Sequence, residues 1–373
     1  MKTFHCNKCS QQVFFENTFC FNCQSTLGYQ HLQTTVSSFE PADNGNWRSL
    51  NPADEGRLYK QCQNYANQQI CNWMIDAGDT YDLCASCRMT EIIPSLTSEK
   101  NHLFWQRLES AKRRLLYSLW SLKLRPISKQ EDEVNGLAFQ FLEDGVTEEK
   151  IFTGHDDGLI TINIAEANPA ERERTREQMH ERYRTLLGHF RHESGHYYFN
   201  RLIANSHWLE RYRALFGDER QDYSESLKLH YENGPQAHWE QRFISSYASS
   251  HPAEDWAETW AHYLHMVDTL ETAHACGLSL KPQKFAEPAM EITAPPLKIN
   301  SFEEIMSDWF ALTYVLNSLN RSVGTPDSYP FKLSSPVQGK LQFVHEVVLA
   351  HVAAALPVQA QYQTQTQTNN QTI

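Results

Sequence analysis

No stretch of this sequence approaches the roughly 20 consecutive apolar residues that a membrane helix requires. The longest late candidate, Val347–Val358, is interrupted by His351 and Pro357. The amino terminus, MKTFHCNKC, lacks the apolar run of a secretory signal, so a cytoplasmic protein without membrane attachment is expected. Positive charge is also scarce. Lys and Arg number 33 against 45 Asp and Glu, a formal net charge of −12, with no basic run. That balance argues against a large nucleic-acid footprint, and metal-bound thiolates would make the chain more acidic still. Internal repeats of the solenoid kind are absent.

What the chain does have is 373 residues, 40% of them hydrophobic and 12% aromatic, enough for two or three folding units with a substantial core. It has nine cysteines, eight of them in two close sets near the amino terminus. In a reducing compartment such spacing favours zinc over disulfides. Cys276 stands alone in a helical stretch, where a buried small hydrophobe is expected.

The first set, Cys6-x2-Cys9 and Cys20-x2-Cys23, can form two facing knuckles around a tetrahedral four-thiolate zinc site. Phe4, Val13, Phe14, Phe19 and Leu27 are the apolar residues available to pack beside it, so zinc would supply most of the folding energy. The pattern resembles a zinc ribbon, with Phe21 and Gln24 where such knuckles often carry Pro and Gly. The second set, Cys62, Cys71, Cys84 and Cys87, is less regular. It reads as a second structural zinc site; the plainer alternative is one CxxC pair plus two buried thiols near Trp73. Four thiolates leave no open position for chemistry at either site.

From about Asn101 the pattern changes. Leu103, Phe104, Leu108, Leu115, Leu116, Leu119 and Leu122 recur at helical spacing up to Pro126. Leu137, Phe139 and Phe141 alternate like a strand, as do Ile160, Ile162 and Ile164, and the Gly154–Gly158 segment between them reads as a turn. Helices are predicted near 171–203, 207–216, 222–232, 237–247, 252–275, 302–320 and 340–355. The polar tail QAQYQTQTQTNNQTI is expected to be disordered. The predicted organisation is therefore α+β: a zinc ribbon over 1–30, a second cysteine-rich module over 31–97, a mainly helical domain with a small sheet over 98–357, and a tail over 358–373.

The segment His192-Glu193-Ser194-Gly195-His196 is an HExxH motif. Residues i and i+4 share a helix face, so both imidazoles can reach one ion while Glu193 takes a proton from water at the metal. The third ligand should come from a second helix, and His251-Pro252-Ala253-Glu254-Asp255-Trp256 supplies the best candidate. Pro252 suits a first helical turn, and Glu254, Glu258, Ala261 and His265 fall on one side. Trp256, Trp260, Tyr263, Val267 and Leu270 fall on the other. Glu254 is the expected ligand, with His251 as its competitor. Glu258, one turn on, would orient a ligand histidine or Tyr247. Tyr247, seven residues before Glu254, carries a phenol that could stabilise an oxyanion near zinc.

HESGHYY, DYSESLKLHYENGP, SSYASSHPAEDWAETWAHYLHMVDTL and SFEEIMSDWFALTYVLNSLNRSVGTPDSYPF resemble a bacterial family of zinc-binding metallopeptidases with an amino-terminal zinc ribbon, over most of the chain. More distantly, YA followed by EDWAE resembles the anthrax lethal factor-like gluzincins, in which a tyrosine precedes the glutamate ligand by seven residues. The resemblance implies a zincin-like fold, Glu254 as third ligand, Tyr247 as oxyanion partner and Glu258 behind a ligand. His251-Pro252 between tyrosine and glutamate is a departure that bears on how the helix begins. The function expected is peptide-bond hydrolysis with one catalytic and one or two structural zinc ions, a peptide or protein substrate, and a protein partner at the ribbons. The rivals are a non-catalytic zinc-ribbon adaptor and a DNA-associated protease. The Ile160–Ile164 strand, if it lies at a sheet edge, could pair with an extended peptide, with Thr161 and Asn163 lining the cleft.

Overall fold

Short antiparallel ladders open the chain because its first residues alternate turn formers with a few apolar anchors. A computed structural model describes residues 1–145, 151–284, 287–299 and 301–369. Strands β1 (Phe4–His5) and β2 (Gln12–Val13) pair antiparallel around the first cysteine knuckle. A five-stranded antiparallel meander follows: β3 (Thr26–Gln30), β4 (Thr35–Pro41), β5 (Trp47–Ser49), β6 (Leu58–Gln61) and β7 (Met74–Asp76). The β3–β4 hairpin spans residues 30 and 31, so a boundary there would cut one supersecondary unit. The short helix α1 (Gln63–Ala66) sits between β6 and β7.

Two compact units are resolved. The first holds residues 1–120 and 126–190, the second 121–125 and 191–373. Besides the meander, the first contains most of helix α2 (Glu99–Ser121), the predicted Leu-rich helix, with Leu108, Leu115, Leu116 and Leu119 fully buried. It also contains a four-stranded sheet in the order β10-β11-β9-β8, from β8 (Thr90–Ile92), β9 (Ala138–Leu142), β10 (Gly154–Asp156) and β11 (Leu159–Asn163). Phe139, Phe141, Ile160 and Ile162 face the core, as their alternation predicts. The expected edge role of the Ile160–Ile164 strand is not met. Leu159 to Thr161 pair with β10 on one side while the strand runs parallel to β9 on the other, so its backbone groups are already used. The β10–β11 turn needs Asp157 at φ 41 and Gly158 at φ 83, a two-residue hairpin turn that glycine accommodates readily.

The predicted continuous helix over 171–203 is broken. Helix α3 (Pro169–Gln178) stops at Met179, His180 takes a left-handed φ of 52, and α4 (Leu186–Leu202) begins six residues later. A left-handed residue cannot continue a right-handed helix. Met179 and Tyr183 therefore lie outside the helix that carries the HExxH motif.

The second unit is built around α7 (Pro252–Ala275), with α5 (Leu209–Phe216), α6 (Tyr223–Asn233), α8 (Phe302–Ser322) and α9 (Ser335–Asn369). The bounds of α7 match the sequence expectation. The predicted helix over 237–247 does not form; only single turns at Trp239–Gln241 and Tyr247–Ser249 appear there. The backbone of α9 runs on through the polar tail to Asn369, and the last residues of the expected disordered tail, 370–373, lie outside the described residues. The aromatic stripe of α7 is buried as predicted: Trp256 packs against Phe216 and Phe343, and Trp260 stacks on Tyr198 at 4.8 Å. Cys276, expected inside, is exposed, because it lies just past the end of α7. Among the described residues no helix is long and apolar enough to cross a membrane.

Candidate metal centre

Helix α4 meets α7 at a residue too small to hold them apart. A Cβ on Gly195 would lie 2.9 Å from the Ala257 Cα and 3.2 Å from Trp260 Cδ1, so glycine permits this approach. Two indoles tie the contact. Trp256 Nε1 donates to the Gly195 carbonyl (2.8 Å) and Trp260 Nε1 to Ser194 Oγ (3.1 Å). Ser194 and Gly195 of the HExxH motif thus do packing work, while His192, Glu193 and His196 serve the site.

On that face His192 and His196 lie with ring centroids 5.2 Å apart. The carboxylate of Glu254, from the first turn of α7, reaches both: Oε2 is 3.0 Å from His192 Nε2 and Oε1 is 3.5 Å from His196 Nε2. Glu193 also lies within 4.8 Å of the imidazole donors. Two carboxylates therefore compete for the imidazole pair, and their surroundings separate them. Burial pushes Glu193 up to about 7, with the His192 charge opposing. Burial also acts to raise Glu254, but the adjoining His196 and His192 overcome it and hold that carboxyl down at about 2. The more acidic group suits a metal; the more basic one suits a proton.

His192 Nδ1 is 2.7 Å from Glu258 Oε1, one turn along α7. With its Nδ1 proton directed at Glu258, the ring can present Nε2 to an ion that takes the place of the Nε2 proton. Burial drives the His192 pKa down, yet the adjoining carboxylates of Glu254 and Glu258 outweigh that and hold it well above the usual value. Burial leaves His196 at about 4, hence neutral and ready to donate a lone pair.

The Tyr247 ring lies 6.0 Å from that of His192, and burial, then Glu254, push its phenol well above the usual range. His251 is not brought into the donor set. It caps α7, its Nδ1 accepting from the Ala253 N–H (3.1 Å) while Nε2 donates to the Gln221 carbonyl (3.2 Å). Both ring nitrogens are engaged, and the His251-Pro252 departure is a helix start.

Sequence reading missed Tyr223, whose hydroxyl donates to Glu254 Oε1 at 2.8 Å. No spacing rule links it to the motif, since it lies 31 residues away on another helix. Asp255, the neighbour of Glu254 in the first turn of α7, is buried and paired with Lys340 of α9 at 2.5 Å.

An orphaned atom tests whether a cation suits these residues. Glu254 Oε2 is buried and accepts no hydrogen bond, although it lies 3.0 Å from His192 Nε2. So close an approach of a carboxylate oxygen to an imidazole nitrogen calls for a positive charge between them, either a proton on Nε2 or a cation in its place. Two imidazoles and a carboxylate are the donor set of open zinc sites.

The cysteines fit zinc as well. Cys6, Cys9, Cys20 and Cys23 form one group, and Cys62, Cys71, Cys84 and Cys87 another. Their sulfurs approach at 3.5 Å (Cys6–Cys23), 3.6 Å (Cys9–Cys20) and 3.8 Å (Cys71–Cys84). Disulfides need about 2.05 Å. A tetrahedron with zinc–sulfur bonds of about 2.3 Å has edges of about 3.8 Å. In the first group Ser10 and Gln24 take the left-handed positions, at φ 60 and 58, that the knuckles require. Gln24 tolerates it with its side-chain amide on the Phe21 carbonyl (3.0 Å). Phe4, Val13 and Leu27 are buried beside this group, but Phe14 and Phe19 are exposed rather than packed. The second group is wholly buried. The Cys62 and Cys71 sulfurs accept backbone N–H groups of Cys84 (3.3 Å) and Trp73 (3.4 Å). The guanidinium of Arg113, buried beside them, meets opposing forces: burial lowers its pKa, and the charges of Cys71 and Glu109 raise it further.

Comparison with known proteins assigns zinc binding to both parts of the chain. The family model described as "Putative zinc-binding metallo-peptidase" matches residues 101–347, and a zinc-ribbon domain model matches residues 3–98. Uncharacterised proteins of Mycobacterium bovis and Mycobacterium tuberculosis are 42% identical over 349 residues, covering 93% of this chain and 95% of theirs. No solved structure matches the chain.

Proposed function

The chain belongs to the zinc-binding metallo-peptidase family, and from that premise we propose that it hydrolyses peptide bonds at the His192–His196–Glu254 centre. The observation that carries this reading is the split between two buried carboxylates, one facing both imidazoles and one held near neutrality. A zinc ion at this donor set supplies Lewis acidity and makes water a nucleophile near neutral pH. His192, oriented by Glu258, and His196 donate nitrogen lone pairs, and Glu254 supplies the compensating negative charge. Glu193 takes the proton of the attacking water and returns it to the leaving amine; burial, which raises its pKa above the ordinary carboxylate value, suits both transfers. Tyr247, kept protonated by burial, donates to the oxyanion that forms on the carbonyl in this reading. The likeness to gluzincins rests on this Tyr247–Glu254–Glu258 arrangement.

The two cysteine groups bind structural zinc in this reading. Phe14 and Phe21, 67% and 73% exposed beside the first group, favour a protein partner at the ribbon in addition to a peptide or protein substrate. A cytoplasmic location belongs to the same proposal, because it keeps these thiols reduced.

The direct test is Glu193→Gln. It should retain the wild-type zinc content and lose hydrolysis of a broad peptide library by about 10²–10⁴-fold. Equal behaviour of wild type and variant at equal zinc content would favour the adaptor reading.

A further inference from the structure

Glu254 can offer an ion either one oxygen or two, and both of its oxygens face imidazole nitrogens. The difference matters. A bidentate carboxylate would fill the corner that an open zinc site keeps for water. The two oxygens are not equivalent here. Oε1 accepts the hydroxyl of Tyr223 at 2.8 Å, whereas Oε2 is buried without any hydrogen bond. An oxygen already holding a phenol proton has less electron density to give, and its direction is fixed by that bond.

Tyr223 is well suited to this task. It opens α6, a helix among whose residues none is buried, and Tyr223 is itself 43% exposed, so its ring adds little to the core. Asp222 caps the helix by accepting the Glu225 N–H at 2.9 Å, which fixes the turn from which Tyr223 projects. The edge-on contact with His251, 5.3 Å between centroids, sets the ring angle, and His251 is itself fixed as the cap of α7. The segment that presents Tyr223 is therefore referenced to the same helix start that presents Glu254.

We propose that Tyr223 is the positioning residue that restricts Glu254 to one-oxygen ligation through Oε2, keeping the fourth corner of the metal open for water. This rests on the assignment of Glu254 as third ligand. In this role Tyr223 acts through Glu254, which its hydroxyl holds.

The test uses full-length protein whose cysteine sites retain zinc while the His/Glu site is stripped with a mild chelator and refilled with Co²⁺. Visible absorption reports the coordination number of Co²⁺, because a four-coordinate ion absorbs much more strongly than a five-coordinate one. Tyr223→Phe removes only the hydroxyl and keeps the ring against His251. It should weaken the Co²⁺ bands, and the zinc form should lose about 10- to 100-fold in kcat with little change in KM. Glu254→Gln serves as the reference. If Glu254→Gln alters the spectrum and Tyr223→Phe leaves both spectrum and kcat at wild-type values, the positioning role is refuted while the ligand assignment stands. If Glu254→Gln itself leaves the spectrum unchanged, the ligand assignment falls and this inference falls with it.

Discussion

Glu193 and Glu254 are the same side chain in the same buried site, and only their neighbours distinguish them. Glu254 has two imidazoles and a phenol; Glu193 has burial and one opposing histidine charge. A general base must be ionised to work, so hydrolysis is expected to fall as pH drops through the Glu193 pKa. That value stands at about 7 from the protein groups alone, and a nearby cation would favour the carboxylate and lower it. The acid limb of kcat/KM should therefore lie at or below pH 7, as a pH–rate profile would show; a limb well above that would mean another group is the base. At this scale the motif made His192, Glu193 and His196 legible, and the helix wheel made Glu254 and Glu258 legible as a stripe. Tyr223 was not, because its role comes from a tertiary approach and its own helix is neither strongly patterned nor buried. His251 was over-read: a histidine before proline at a helix start is as good a cap as a ligand, and only its two hydrogen bonds decide.

Among the elements, the α4–α7 contact does most to assemble the centre. Gly195→Ala would force a methyl group into a 2.9 Å space beside the Ala257 backbone. Overpacking of this kind costs about 1–3 kcal/mol. Because the same contact sets the distance from the imidazoles to Glu254, zinc at this centre should be lost to chelators sooner than in wild type, while the cysteine-bound zinc is unaffected. Unchanged zinc retention, measured by competition with a chelator, would show that the helices can separate without cost to the site. A second contact anchors the start of α7. Asp255 is buried against Lys340, and Lys340 also donates to the Arg242 carbonyl at 2.8 Å. Lys340→Met should destabilise by about 3–5 kcal/mol, since it leaves a buried carboxylate unpaired, and adding Asp255→Asn should recover much of the loss. Urea unfolding of the single and double variants measures this. Long amphipathic elements such as α2 and α7 were legible because their burial follows one period. The break at His180 and the missing helix over 237–247 were not, since nothing in MHERYRT or in HWEQRFISSYA interrupts the pattern with proline or glycine.

At the scale of the whole molecule, metal donors cluster in three places among the described residues: two four-cysteine groups in residues 1–120 and a His/Glu group in residues 191–373. The division between a cysteine-rich amino-terminal part and a helical remainder was legible from composition and spacing. The membership of the two compact units was not, because it depends on how strands distant in sequence pair. The cysteine groups also differ in access. Cys9 and Cys23 are partly accessible, whereas Cys62, Cys71, Cys84 and Cys87 are all buried. A thiol-reactive mercurial added to native protein should therefore release zinc from the first group before the second, as a colorimetric zinc indicator would record; simultaneous release would contradict the difference in burial. The central claim is that one further ion is held by side chains from two helices. Native mass spectrometry of intact protein tests it most directly. Wild type should carry one zinc for each of the three donor groups, and a His196→Ala/Glu254→Ala variant should carry one fewer, with both cysteine-bound ions in place. A variant that keeps the full wild-type complement would contradict it.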